Sequence, residues 1–138
     1  MASDCLFCKI VEGSIPSFKV YEDEATYAFL DINPVNLGHT LVVPKRHFTN
    51  IYELPEQELS ALTQTTQRIA KVLKELRADG VNIIINNDVA AGQAVFHAHT
   101  HVIPRYTDDG YRHWRGPVQP PEAMERMRAE LYNKLSDL

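Results

Sequence analysis

The run "FHAHTHVIP", residues 96–104, sets three of the chain's six histidines at every second position of an otherwise apolar stretch. Side chains of a strand alternate between two faces, whereas those of a helix repeat every 3.6 residues. On a helix, His99 would point away from His97 and His101. On a strand all three share one face, while Phe96, Ala98, Thr100 and Val102 fill the other. The run therefore predicts a strand that ends at Pro104 and carries an ordered row of imidazoles.

A strand needs neighbours, and the remaining sequence provides them. "SFKVYEDEATYAFLDINP" reads as two short strands with an acidic turn at Glu22–Glu24, and "HTLVVPK" as a third stopped by Pro44, together a meander. The segment Pro55–Asp79 predicts a long helix: Pro55 suits the first helical position, Glu56 and Glu58 favour the positive end of the dipole, and Gly80 closes it. Leu59, Leu62, Thr66, Ile69, Leu73 and Leu76 step by three and four along one core-facing stripe. "VNIIINN" reads as a buried strand, and a short loop, "DVAAGQA", joins it to the histidine strand as a hairpin-like unit. A last helix is expected from about Pro121. The sum is an α+β domain, an antiparallel sheet of about five strands with one long helix and a C-terminal helix. A chain of 138 residues makes one such domain, with an N-terminal segment 1–14 and a C-terminal tail and helix 105–138.

Charge and cysteine usage narrow the partners. A net charge of −4 argues against broad binding to nucleic-acid backbones, yet leaves room for a small anionic ligand in a local pocket. No apolar run approaches a membrane span, and "MASDCLFCKIVEG" lacks the basic and apolar regions of a signal peptide, so a cytoplasmic location is expected. In a reducing compartment the C-x-x-C formed by Cys5 and Cys8 points to metal binding or redox chemistry rather than a disulfide.

Two chemistries suit a row of imidazoles. Neutral imidazole is a common zinc ligand, but same-face neighbours on a strand stand about 6.6 Å apart, so His97 and His101 are separated by about 13 Å. Three alternating histidines do not readily serve one ion, and at least one has another task. The alternative is nucleophilic catalysis, in which a ring nitrogen attacks phosphorus. A pKa near 6.5 leaves most of an imidazole neutral at cytosolic pH, and a hydrogen bond at one nitrogen aims the other.

The pattern His97-Ala-His99-Thr-His101-Val-Ile resembles the signature of the histidine triad (HIT) superfamily of nucleotide hydrolases and transferases. The blocks "CLFCKIVEGSIPSFKVYED", "AFLDINPVNLGHTLVVPKRH" and "AGQAVFHAHTHVIPR" are similar, in order, to the branch of bacterial HIT proteins and histidine triad nucleotide-binding proteins. The resemblance implies a HIT-like fold and His99 as the nucleophile, with His101 contacting phosphate and leaving group and His39 lining the same site. It implies donors near the phosphate from Asn87, Gln93 and the loop at Gly92, ribose contacts from Asp31, and a base slot of Leu6, Phe7, Ile10, Phe29 and Ile32. It further implies a structural zinc held by Cys5, Cys8, His47 and His97, no magnesium in the chemical step, and a homodimer. Each apolar residue of that slot could equally be ordinary core, Asp31 could cap the turn at "DINP", and Asn87 could serve only loop backbone.

One position departs from the pattern. Ala94 stands where many eukaryotic relatives carry a hydroxyl residue, which removes a donor to the leaving group. The tail "RYTDDGYRHWRGP" either clasps the leaving group or packs as irregular chain, and Trp114 is a residue that could cross to a second subunit. The expected activity is hydrolysis of nucleoside phosphoramidates or dinucleoside polyphosphates at the α-phosphorus, through a nucleotidyl-histidine intermediate that releases a monophosphate such as AMP. The competing readings are a purine-nucleotide-binding or scaffolding protein with vestigial catalysis, and a metallohydrolase with catalytic zinc.

Overall fold

In a computed structural model that describes residues 4–138, five strands form one antiparallel sheet in the order β1-β2-β3-β5-β4. The strands are β1 (Lys19–Glu22), β2 (Thr26–Leu30), β3 (Thr40–Pro44), β4 (Gly80–Ile84) and β5 (Thr100–Arg105). Three helices accompany them: α1 (Leu6–Glu12), α2 (Glu56–Glu75) and α3 (Pro121–Ser136). The α+β class, the meander β1-β2-β3, the antiparallel pairing of β4 with β5 and both longer helices agree with the expectation from sequence.

The sheet has two dissimilar faces because its strands alternate. Ala28, Val42 and Val102 pack with Leu62 of α2, flanked by Ile69 and Leu73, on one side. On the other side Phe7 and Ile10 of α1 meet Tyr27, Phe29, Leu41 and Val43. The two halves of α2's stripe differ in depth. Leu62, Thr65 and Thr66 are buried, Thr65 Oγ1 lying 2.8 Å from Thr26 Oγ1 of β2, but Leu76 is 68% exposed. The stripe therefore stops at Leu73.

Several boundaries differ from those expected. Pro55 caps α2 from extended backbone (ψ 156°) instead of occupying its first turn. The helix ends at Glu75, and Arg77 takes the left-handed conformation (φ 77°) that Gly80 was expected to supply. Gly80 instead opens β4, opposite Arg105. β4 is an edge strand, not a buried one, and Ile83 is 53% exposed because no further strand covers it. The connection from β4 to β5, residues 85–99, is long, and it contains a 3-10 turn at Val89–Ala91. The helix α1 was not anticipated. It is only 7 residues long, with Cys5 as its N-cap and Gly13 (φ 89°) closing it.

The largest difference lies in the histidine run itself. β5 starts at Thr100, so only His101 belongs to the ladder, while His97 and His99 sit on an irregular lead-in. The β3–β5 ladder covers Thr40–Val42 against Thr100–Val102 and goes no further. At the far end of β3, Pro44 has no N–H to extend it. The alternation nevertheless persists through the lead-in: Ala98, Thr100 and Val102 are 1%, 2% and 0% exposed on the α2 side, and the histidines line the other.

Candidate functional site

Three histidines in a row have three different hydrogen-bond environments. His99 places Nδ1 2.7 Å from the carbonyl oxygen of His97. A carbonyl only accepts, so Nδ1 carries the proton and Nε2 is left with a bare lone pair. His97 places Nε2 2.7 Å from the carbonyl of Pro44, so its proton is on Nε2 and its lone pair is on Nδ1. For His101 the partner is another ring. Val35 N–H donates to His39 Nδ1 at 3.1 Å, which puts the His39 proton on Nε2, and that atom lies 2.9 Å from His101 Nδ1. His101 consequently keeps its proton on Nε2.

Burial holds the site neutral. It pushes His97 and His101 down to about 4, the latter helped by the neighbouring His99 and His39, and it also lowers His39 and His99. The His97 carbonyl and the charge of Asp31 oppose the shift at His99 without reversing it. Phe7 stands edge-on to both His99 and Phe29, with ring centroids 5.0 and 5.4 Å apart, and excludes water from that side of the nucleophile candidate.

The bare Nδ1 of His97 faces the two cysteines, which are not joined by a disulfide. It lies 3.5 Å from both Cys5 Sγ and Cys8 Sγ, and His47 Nδ1 lies 3.4 Å from Cys8 Sγ. All four ligand atoms fall within 4.8 Å of one another. Sulfur and nitrogen bound to one tetrahedral zinc would stand about 3.6 Å apart, given bonds of about 2.3 and 2.0 Å. The donor set, two sulfurs and two imidazoles with a tautomer already suited to coordination, therefore fits a metal ion. Asp31, His39 and His101 form a second tight group, Asp31 Oδ2 being 3.6 Å from His39 Nε2. Here the Val35 amide works against a metal, because it places a proton on the very nitrogen of His39 that would have to coordinate.

The remaining residues named from the sequence divide into those that gather and those engaged elsewhere. Phe7, Ile10 and Phe29 are buried together, whereas Leu6 and Ile32 are 45% and 77% exposed at the rim. Asp31 is half-buried, and its Oδ1 also accepts the N–H of Asn33 at 2.8 Å, so it caps its turn as well as facing His39. Gln93 gives its amide hydrogens to the carbonyls of Thr49 and Val95 and accepts from Asp88 N–H, which makes it a clamp of the 85–99 loop. Gly92 donates its N–H to Val89 and adopts φ 93°, a conformation suited to glycine. Asn87 accepts from Ile51 N–H at 2.9 Å. Its neighbour Asn86, absent from the residues named above, lies against Gly92, with Nδ2 3.9 Å from where a Cβ there would sit. Parity was the available signal: Ile84 pairs with His101, so continuing the alternation places Asn86 rather than Asn87 on the histidine side.

Fold and histidine cluster together define an α+β domain with a buried row of imidazoles, and comparison with known families identifies it. Residues 12–108 match the HIT domain, and the chain belongs to that family. It is 54% identical over 106 residues to an uncharacterized HIT-like protein of Methanocaldococcus jannaschii, covering 77% of this chain and 82% of that one. It is 40% identical over 108 residues to an adenosine 5′-monophosphoramidase of Candida albicans, covering 75% and 71%. Among solved structures, a Streptococcus mutans protein superposes with TM-score 0.89 at 45% identity, covering 97% and 86% of the two chains. A zinc-bound histidine triad family protein of Mycobacterium smegmatis gives 0.76 at 41% identity, covering 98% of both.

Burial of neutral His101 has a consequence for stability. Its folded pKa, about 4, lies below its unfolded value near 6.5, so the unfolded chain binds the extra proton between these limits. Its contribution is complete above about pH 6.5 and declines as pH falls toward 4. Denaturant titrations of wild type and His101→Gln should show a stability difference that shifts against wild type between pH 7.5 and 4.5; a pH-independent difference would contradict the buried neutral ring.

Proposed function

We propose that the protein hydrolyses nucleoside phosphoramidates or dinucleoside polyphosphates at the α-phosphorus, through a covalent nucleotide on Nε2 of His99. The observation that carries this reading is the tautomer: a buried imidazole whose Nδ1–H is held by the His97 carbonyl offers a neutral, aimed nucleophile at the other nitrogen. As the bond from Nε2 to phosphorus forms, the bond to the leaving group breaks, and the departing atom accepts a hydrogen bond from the Nε2–H of His101 and draws its proton from solvent. The Nε2–H of His39 donates to His101 Nδ1 and so keeps the His101 proton on Nε2, facing the departing atom. Water then adds to phosphorus, the phosphorus–nitrogen bond breaks, AMP departs and the water's proton passes to solvent. The Candida albicans relative's phosphoramidase activity supports the choice of substrate class. No magnesium enters this scheme, because the Nε2–H of His101 would meet the charge on the phosphate.

On this reading Asp31 accepts the ribose hydroxyls, and the base rests against Phe29, Phe7 and Ile10 with Leu6 and Ile32 at its edge. Asn87, Gln93 and Gly92 shape the phosphate loop. Zinc held by Cys5, Cys8, His47 and His97 would tie α1 to the segment carrying His99; the zinc-bound Mycobacterium smegmatis neighbour supports that choice of ion. A thiolate metal site of this kind suits a reducing compartment such as the cytoplasm. Two copies joined edge to edge through β4, whose Ile83 is exposed, would form a homodimer. No described helix is long and apolar enough to cross a membrane.

AMP release from adenosine 5′-phosphoramidate, without added magnesium, is the direct test. Wild type should turn over, and His99→Ala should lose about 1,000-fold or more in kcat while still binding AMP. Absence of turnover by wild type despite tight AMP binding would support a nucleotide-binding protein instead. Metal analysis tests the second part: protein purified without chelator should carry about one zinc per chain, and less than about a tenth would refute the zinc assignment.

A further inference from the structure

The hydrogen bond shared by His39 and His101 can run in either direction. His39 Nε2 lies 2.9 Å from His101 Nδ1, so one arrangement donates from His39 and leaves a proton on His101 Nε2, while the other donates from His101 and leaves its Nε2 with a lone pair. Within the pair the two arrangements make the same number of hydrogen bonds. Only the first offers a donor to a departing group. The Val35 amide separates them, because it stands 3.1 Å from His39 Nδ1, and in the second arrangement that nitrogen also carries a proton, so that two donors confront each other. Asp31 Oδ2, at 3.6 Å from His39 Nε2, is too distant for a hydrogen bond and adds a weaker bias in the same direction.

Val35 belongs to the loop between β2 and β3, much of which faces solvent, Leu37 being 85% exposed. Its amide therefore needs an anchor. One arises where the β3–β5 ladder stops: Thr40 pairs with Val102, the chain turns away at Gly38 (φ 104°), and the ladder provides no partner for Pro104. The carbonyl of Arg105 accepts Asp79 N–H at 2.9 Å on the β4 side, so by alternation that of Pro104 faces the gap β3 leaves. Asn36 fills this gap. Its Nδ2 donates to the Pro104 carbonyl and to Asp109 Oδ2, each at 2.9 Å. Asp109 is fixed in turn by Arg105 Nε and Nη2 at 2.8 and 2.9 Å and by the N–H groups of Tyr106 and Tyr111. The backbone carbonyl of Asn36 accepts His39 N–H at 3.0 Å, so the residue that follows Val35 is bonded at once to β5, to the turn after it and to His39.

We propose that Asn36 is a positioning residue: it holds the Val35 amide on His39 and thereby sets the direction of the His39–His101 hydrogen bond. Its part in turnover rests on the hydrolase reading, whereas its effect on the two rings does not. Both side-chain neighbours of Asn36 are acceptors, so the position calls for an amide. A carboxylate of the same size would face a carbonyl and a second carboxylate, and the loop would leave its anchor.

Long-range nitrogen–proton NMR correlation on wild type, Asn36→Asp and Asn36→Ala reads the rings directly. In wild type His39 and His101 should both be protonated at Nε2, with a scalar coupling across the hydrogen bond from Val35 N–H to His39 Nδ1. In the variants that coupling should vanish, and both rings should shift together toward protonation at Nδ1. With adenosine 5′-phosphoramidate as substrate, kcat should fall about tenfold in each variant while KM stays within about twofold. Absence of the coupling in wild type, or a wild-type His101 protonated at Nδ1, would overturn the proposal before any variant is made. Unchanged tautomers in either folded variant would overturn it as well. Shifted tautomers with kcat unchanged would refute the part Asn36 has in turnover. Shifted tautomers in a protein whose wild type shows no turnover would refute hydrolysis and leave the positioning of His39 and His101 standing.

Discussion

The hydrogen bond from His99 Nδ1 to the carbonyl of His97, two residues earlier in the chain, is the contact on which the site depends. In a regular ladder that carbonyl would belong to a neighbouring strand. It reaches a ring because β5 has not yet begun, and because the opposing strand ends in a proline. The departure from ideal sheet geometry at 97–99 thus gives His99 a defined tautomer and a nitrogen free to react. The same proline's carbonyl fixes His97 in the opposite tautomer. One irregularity therefore separates two chemically identical side chains into two different tautomers.

The surrounding packing maintains this separation. A sheet with one face against α2 and the other against α1 encloses the imidazoles where ionisation is disfavoured, so they stay neutral donors and acceptors at ordinary pH. Phe7 belongs at once to the apolar cluster and to the wall behind His99. The cysteine–histidine cluster adds a second tie, since Cys5 and Cys8 bracket the first turn of the helix that carries Phe7. Loss of that cluster would reach His99 through the packing of Phe7.

Much of this was legible in the sequence, and the exceptions have physical causes. Period-two alternation placed His97, His99 and His101 on one face, and it survives where regular strand does not because buried Ala98 and Thr100 anchor the other face. The C-terminal end of α2 was misplaced because Arg77 adopts a left-handed conformation more typical of glycine. A helix of 7 residues, α1, has too few turns for its apolar spacing to be distinguished from a strand or loop. "VNIIINN" looks fully buried from composition, yet its place at the sheet edge is a property of topology. Gln93 and Asn87 are of residue types that suit phosphate contacts, but whether an amide faces a ligand or its own loop is decided by backbone groups distant in sequence, here Thr49 and Ile51.

Tautomer assignment of His99 by long-range nitrogen–proton NMR correlation tests the central claim most directly. At neutral pH the account predicts a neutral ring protonated at Nδ1, with Nε2 unprotonated. A ring protonated at Nε2, or an imidazolium carrying both protons, would contradict it, since neither leaves Nε2 the lone pair that the proposed attack on phosphorus needs.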